Sequence, residues 1–434
     1  MTELTKKAFG ADWLLDTWSV EGTNAAEARE VLSEQTKRTR YKPVNTAYLS
    51  ILFQPRQIDD DTSESVRRKL ALIDSEACEA LSGIDELASE IVPQSALRDE
   101  SLSETGMILR YNGNEQYYLS RAAVPSLLQR AKVNGVAMHK PGFYRNMFLV
   151  DAWHHAGMAC GPNAKSLSNR MDINATFVLR ETTVAGRKYR KLFHAFSETY
   201  EPTPLVRMCD MAEAVVDAGA FGKAHVLSWS TSHFQTDIIV VFPELLGNVS
   251  EKLPDDTFLP GLILTTSDTG TVSTTAWSVA FMRGSDHYIK LEEVRHRHQG
   301  SFDPESFVKE TNETELRAVT KLSQTFETLA EKYVVKPEVS DSAHALNLMK
   351  AALKKVMLGC HMSPVIGKQR ELQYRAVLED LLGGLGSRSW YDITLLVLSL
   401  PDRIPDLSAG QHDELSLALG RAPYVALSKC TSPD

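Results

Sequence analysis

Ile173-Asn-Ala-Thr-Phe-Val-Leu-Arg180, followed by Glu181-Thr-Thr-Val-Ala-Gly186 and Arg187-Lys-Tyr-Arg-Lys-Leu-Phe-His-Ala-Phe-Ser-Glu198, is the stretch on which the fold turns. Ile173, Ala175, Phe177 and Leu179 alternate with Asn174, Thr176, Val178 and Arg180. A period of two marks a strand, because successive side chains of an extended chain point to opposite faces. Ala185-Gly186 then turns the chain back into a second strand over Lys188 to Glu198. Leu205, Met208, Ala212, Val215 and Val216 form a helical stripe, with Pro204 at its start and Gly219 at its stop.

Further strands are predicted at 224–230, 237–242, 261–266 and 272–283. Upstream, Met107-Ile-Leu-Arg-Tyr111, Asn112-Gly113 and Gln116-Tyr-Tyr-Leu-Ser120 read as a hairpin, since Asn-Gly supplies the positive φ angles of a tight turn. Val124, Leu127, Leu128 and Ala131 then share one face of a short helix. The order strand, strand, helix, strand, strand with short links predicts an α+β fold built on a central antiparallel sheet with packed helices. Past Asp303 the pattern is helical: Leu316, Val319, Leu322, Phe326, Leu329 and Tyr333 keep a spacing of three to four, with further helices at 342–358, 368–382, 389–399 and 407–419. Residues 1–105 read as an acidic, mainly helical region, 106–302 as the core domain and 303–434 as a C-terminal helical region.

The formal charge is −9, from 47 Lys and Arg against 56 Asp and Glu. Thirteen acids and five bases fall between Arg56 and Thr105, so that window carries −8 and the rest of the chain −1. A histone-like, wholly basic protein is excluded, but a local cationic face is not, because binding follows local potential. The first ten residues hold no apolar run, no segment has membrane-spanning length, and five cysteines are scattered without a CxxC pair. These features predict a cytoplasmic protein with reduced thiols and no membrane association.

Phosphate-loop, dinucleotide, HExxH and GxSxG motifs are absent from the sequence. No catalytic residue, cofactor or metal is therefore predicted. His296 and His298 alternate on one strand face and leave a metal-dependent enzyme as a minor alternative. The basic stretches carry more. Arg187-Lys-Tyr-Arg-Lys191 puts four cations around an aromatic ring, and Arg295 and Arg297 form a second cluster. Cations track phosphates and a ring stacks on bases, so Lys188, Tyr189, Arg190, Lys191, Arg295 and Arg297 are the nucleic-acid-binding candidates. An edge strand blocked by solvated charges is the competing reading of the same segment. Thr265-Thr-Ser-Asp-Thr-Gly270 reads as a polar hairpin loop.

Lys191 to Tyr200, Pro204 to Gly219, Pro260-Gly-Leu-Ile-Leu-Thr-Thr-Ser-Asp-Thr-Gly270 and Val294-Arg-His-Arg-His-Gln-Gly300 resemble, in order and spacing, the phage- and plasmid-borne proteins of domain-of-unknown-function family nine-three-two. The resemblance spans roughly 106–419 and implies a mobile-element origin and a fold, with no mechanism attached. A looser analogy in fold is to phage single-strand annealing proteins. Together these lead to the expectation of an oligomeric, non-enzymatic protein that holds or anneals single-stranded DNA in replication or recombination. The alternative is a self-assembling structural protein without a nucleic-acid role.

Overall fold

The computed structural model describes residues 2–45, 49–53, 107–111, 115–130, 174–184, 187–198, 200, 204–218, 222–245, 258–282, 287–296, 303–333, 390–404 and 419–431, with short pieces at 351, 368, 371–376 and 415–416. Antiparallel sheets with packed helices make up the chain, as the alternation predicts, but there are two six-stranded sheets where one was expected.

The first sheet has the order β1 (Ser19–Gly22), β8 (His225–Ser232), β9 (Thr236–Val241), β10 (Phe258–Thr266), β11 (Thr274–Met282) and β12 (Tyr288–His296). Strands β8 to β12 run as a meander of antiparallel neighbours, and β1 adds itself to β8 with Ser19 opposite Ser232. Gly22 has no side chain because a Cβ there would stand 2.9 Å from the Trp229 ring on the partner strand. One face of this sheet carries the main core. Helices α2 (Ala25–Arg38), α4 (Val206–Asp217), α5 (Pro304–Tyr333) and α7 (Ala422–Thr431) pack there, joining Leu32, Met208, Trp229, Val240, Leu262, Val319 and Tyr424 in one cluster. Each fully buried side chain of this size contributes about 1.5–3 kcal/mol. The other face holds a smaller apolar group of Val241, Ile263, Val279 and Phe281.

The second sheet has the order β2 (Thr39–Asn45), β6 (Asn174–Val184), β7 (Arg187–Ser197), β5 (Glu115–Leu119), β4 (Met107–Tyr111) and β3 (Leu49–Phe53). All neighbours are antiparallel except β5 and β7. The two edge strands, β2 and β3, are consecutive in the chain and separated by residues 46–48 only. Four backbone steps reach at most about 14 Å, so Asn45 and Leu49 hold the opposite edges of the sheet close together. The sheet is therefore strongly curled. Its concave side wraps helix α3 (Ala123–Arg130), burying Val44, Leu109, Leu119, Leu127, Phe177, Leu179 and Leu192.

Two sequence expectations are corrected by the structure. The described part of 1–105 is not a separate helical region: β1 completes the first sheet, and β2 and β3 form both edges of the second. Strand β12 is added at the edge of the meander. Most of each helix expected at 342–358, 368–382 and 407–419 lies outside the described residues. Helices α5, α6 (Trp390–Leu398) and α7 are the described parts of the C-terminal region. Among the described residues no helix is long and apolar enough to cross a membrane.

Candidate functional site

Away from its turn the β6–β7 hairpin is buried on both faces, and this decides where its charges go. Concave positions pack on α3, and the opposite positions face the first sheet. Arg180 on β6 and Lys191 on β7 are directly paired in register, and both are 0 % exposed. A buried cation survives only if paired and hydrogen-bonded. Arg180 Nη2 donates to Asp268 Oδ1 at 2.6 Å, from the loop after β10. Lys191 Nζ lies 2.9 Å from Asp16 Oδ1, and Asp16 Oδ2 accepts from the Arg121 N–H at 2.7 Å.

Between the two ion pairs sits His233, in the turn between β8 and β9 and 0 % exposed. Its Nδ1 is in contact with Arg180 Nη1. Arginine is always a donor, so Nδ1 is unprotonated. Burial, then the charges of Arg180 and Lys191, hold the imidazole pKa well below its ordinary value. The ring stacks on Trp18 with centroids 4.8 Å apart and lies 4.2 Å from Phe193, while the Arg180 guanidinium is 4.9 Å from Phe193 and 5.4 Å from Trp13. Thr39 Oγ1 is 3.3 Å from Asp268 Oδ2. Tyr41 and Tyr200 nearby have their phenol pKa values raised by burial and, after it, by Asp268. Among the described residues, Arg180 is ion-paired with Asp268 and Lys191 with Asp16, and the cluster joins the two sheets and the N-terminal segment.

A second cluster lies across β2, β5, β6 and β7. Lys188 Nζ is 2.6 Å and Arg190 Nε 3.1 Å from the two oxygens of Glu181. On β2, Lys42 is ion-paired with Glu115, donates to Tyr117 Oη at 3.0 Å and lies over the Tyr111 ring at 4.7 Å. The bonds from Lys42 and Tyr117 lower the Glu115 pKa, and the field of Arg190 adds to them, so Lys42 and Arg190 act on one carboxylate. The field of Arg190 thus links the Lys188–Glu181 group to Lys42 and Glu115, beside the partly buried Tyr111 ring, while Tyr117, 1 % exposed, belongs to the core around α3.

Lys188 and Arg190 share a face and reach the surface together. Tyr189, 5 % exposed, is a core residue packed toward Tyr118, and Lys191 is the buried partner of Asp16. Neither is available to stack on a base or meet a phosphate. The alternation that exposes Lys188 and Arg190 sends the residues between them to the opposite, covered face. Arg295 on β12 is exposed and donates to Ser273 Oγ at 3.1 Å. Ser273 follows Gly270, which packs on Phe196, eight residues along β7 from Lys188 and so about 26 Å away along the strand. Arg295 therefore belongs to a different place from the Lys188 pair. Arg297 and His298 lie outside the described residues, and His296 ends β12.

Sequence reasoning missed Lys42, Tyr111, Arg180, His233 and Asp268. The alternating cations and ring of Arg40-Tyr-Lys42 were a signal for the first of these; Asp268, read as part of a hairpin loop, gave none. Among the described residues no three His, Cys, Asp or Glu side chains converge as metal ligands. No protein-family model, curated protein or solved structure matches the chain.

Proposed function

We propose that this chain binds single-stranded nucleic acid, without catalysing a reaction, through the cationic cluster of Lys42, Lys188 and Arg190 on the second sheet. The observation that carries the reading is the grouping of Lys188 and Arg190 on Glu181 with Lys42 on Glu115, linked by the field of Arg190 and lying beside the partly buried Tyr111. Glu115 and Glu181 hold the three cations in ordered positions, and a phosphate group competes for the same donors. The partly buried Tyr111 ring beside Lys42 suits base stacking. The resemblance to phage- and plasmid-borne proteins belongs to the same proposal, as do an oligomeric state, a cytoplasmic setting and a part in replication or recombination.

Titrating a labelled single-stranded oligonucleotide at two salt concentrations tests it. Affinity is expected to fall with salt, because phosphate contacts release counterions, and to fall further in Arg190→Glu. Absent binding, or binding indifferent to both salt and Arg190→Glu, overturns the reading.

The second reading, a self-assembling structural protein, is favoured by the internal use of Tyr189 and Lys191 and by the carboxylates already paired with Lys188 and Arg190. Solution mass with and without single-stranded DNA separates the two: assembly indifferent to DNA supports the structural reading.

A further inference from the structure

Lys42 belongs to an edge strand yet reaches across the second sheet. In the order β2, β6, β7, β5, β4, β3, Tyr111 on β4 lies four strands from β2, about 19 Å away if the sheet were flat. Lys42 Nζ is nonetheless 4.7 Å from the centre of the Tyr111 ring and is ion-paired with Glu115 on β5. A lysine side chain does not span four strands, so the sheet closes round Lys42. Alternation puts the rest of the cluster on the same side. Lys42 is two residues from Val44, Tyr111 from Leu109, Glu115 from Tyr117, Glu181 from Leu179 and Arg190 from Leu192, and the second member of each pair belongs to the core around α3. Side chains two apart on a strand share a face, so all of these, with Lys188 two residues before Arg190, lie on the concave side.

This placement narrows what the cluster can take. Helix α3 fills the adjoining stretch of the concave side with Ala123, Val124 and Leu127. Strands thus surround the cluster and an apolar plug stands behind it. The interior of a polynucleotide has to enter such a place and leave by the same side, whereas a chain end only enters. Charge points the same way. Each cation already has a carboxylate: Glu181 takes Lys188 at 2.6 Å and Arg190 at 3.1 Å, and Glu115 takes Lys42. An incoming anion has to compete with these carboxylates for the donors. A phosphodiester brings one charge, no more than the carboxylate it displaces. A terminal phosphate brings about −1.5 to −2 at neutral pH and three acceptor oxygens. The side chains of Lys188, Arg190 and Lys42 are 48 %, 32 % and 30 % exposed, so the donors are within reach of a ligand.

We propose that the ligand of this cluster is a terminal phosphate monoester, the phosphorylated end of a single strand and not its interior, received by Lys188 and Arg190. The inference rests on the binding reading above and assigns the part of the strand that binds. A free nucleotide carries the same group, and the test separates the two sources.

Fluorescence anisotropy on the full chain compares a linear oligonucleotide carrying a 5′- or 3′-phosphate, the same oligonucleotide without it, and the same sequence ligated into a circle, with thymidine 5′-monophosphate as competitor. The phosphorylated strand is expected to bind roughly tenfold or more tightly than the other two and to be displaced by the nucleotide. In Arg190→Gln and in Lys188→Gln the three strands are expected to converge; both side chains reach the surface, so the fold is kept and circular dichroism checks it. Equal, salt-dependent affinity for all three strands overturns this proposal and leaves the binding reading standing. A phosphate advantage unchanged in both variants also overturns it, because the end is then held elsewhere. Saturable binding of thymidine 5′-monophosphate with no strand bound keeps the terminal phosphate, assigns it to a free nucleotide and overturns the strand reading. No binding of any probe overturns both.

Discussion

Arg180 donates to Asp268 across 2.6 Å with both side chains buried, and the two residues belong to different sheets. Arg180 comes from β6 of the curled sheet and Asp268 from the loop that joins β10 to β11 of the meander. The pair, with His233 and the Lys191–Asp16 bridge beside it, fixes how the two sheets face each other. Such pairs add little net stability over an apolar contact but are costly to break on one side.

Arg180→Met is accordingly expected to lower unfolding free energy by about 3–5 kcal/mol, because it strands the Asp268 carboxylate. Asp268→Leu strands Arg180 in the same way. The double variant is expected to recover much of the loss, giving a strongly non-additive cycle in urea unfolding. Additive single effects would show that the two side chains do not depend on each other.

His233 makes the fold acid-sensitive. Its folded pKa lies well below the unfolded value near 6.5, so below that pH the unfolded chain binds a proton that the folded chain refuses. Stability is complete above about pH 6.5 and falls as pH drops, by up to about 1.4 kcal/mol per pH unit per group. His194, brought down to about 4 by burial and then by Arg130, adds to the same limb. His233→Gln keeps an acceptor for Arg180 and removes one proton from the balance. Its urea midpoint is expected to decline less than that of wild type between pH 6.5 and 5; an identical decline would exclude His233 as a source.

Glu315 has the opposite sign. It is 0 % exposed on α5, opposite Ser278 of β11, and burial raises its pKa well above the usual carboxylate value. The folded state therefore holds a proton that the unfolded state has released, and stability falls as pH rises above about 4.5. Glu315→Gln is expected to stabilise the protein at neutral pH by on the order of 1 kcal/mol or more, with an advantage that widens between pH 5 and pH 7. A constant offset across that range would show that the gain comes from packing.

Gly270 has φ +66°, and a Cβ there would collide with the Phe196 ring. Gly270→Ala is expected to cost more than about 1 kcal/mol, combining the strain of a left-handed backbone with overpacking. Because the same loop carries Asp268, the loss is expected to shrink when Arg180 is already Met. Thermal unfolding of the single and double variants measures this, and a full-sized loss in both would separate the turn from the ion pair.

The parts of the fold legible in the sequence were those where one strand face is apolar and the next residue is not. Phe177 and Leu179, the hairpin Met107–Tyr111 with Glu115–Leu119, and the stripe of α4 satisfy that condition, and each is present. The edge strands do not. β1 has four residues with half of them exposed, and β2 alternates Arg40 and Lys42 with Tyr41 around Pro43, so neither carries an apolar period. The candidate site was legible by half for a related reason. Alternation separates Lys188 and Arg190 from Tyr189 and Lys191, but whether a face meets water or a second sheet depends on Asp16, 175 positions from Lys191, and on Asp268, 88 positions from Arg180. A local window holds no trace of partners so distant.

The pairing of Ser19 with Ser232 has a consequence for synthesis. At 5–20 residues per second, β1 leaves the ribosome roughly 10–40 s before its partner strand exists. β2 waits for β6 in the same way, with Thr39 opposite Arg180. Throughout that interval the nascent chain displays strand segments with nothing to pair with, and their polar, proline-interrupted composition keeps them from finding one another on neighbouring chains. The weak strand character that hides β1 and β2 from a reader of the sequence also protects them on the ribosome.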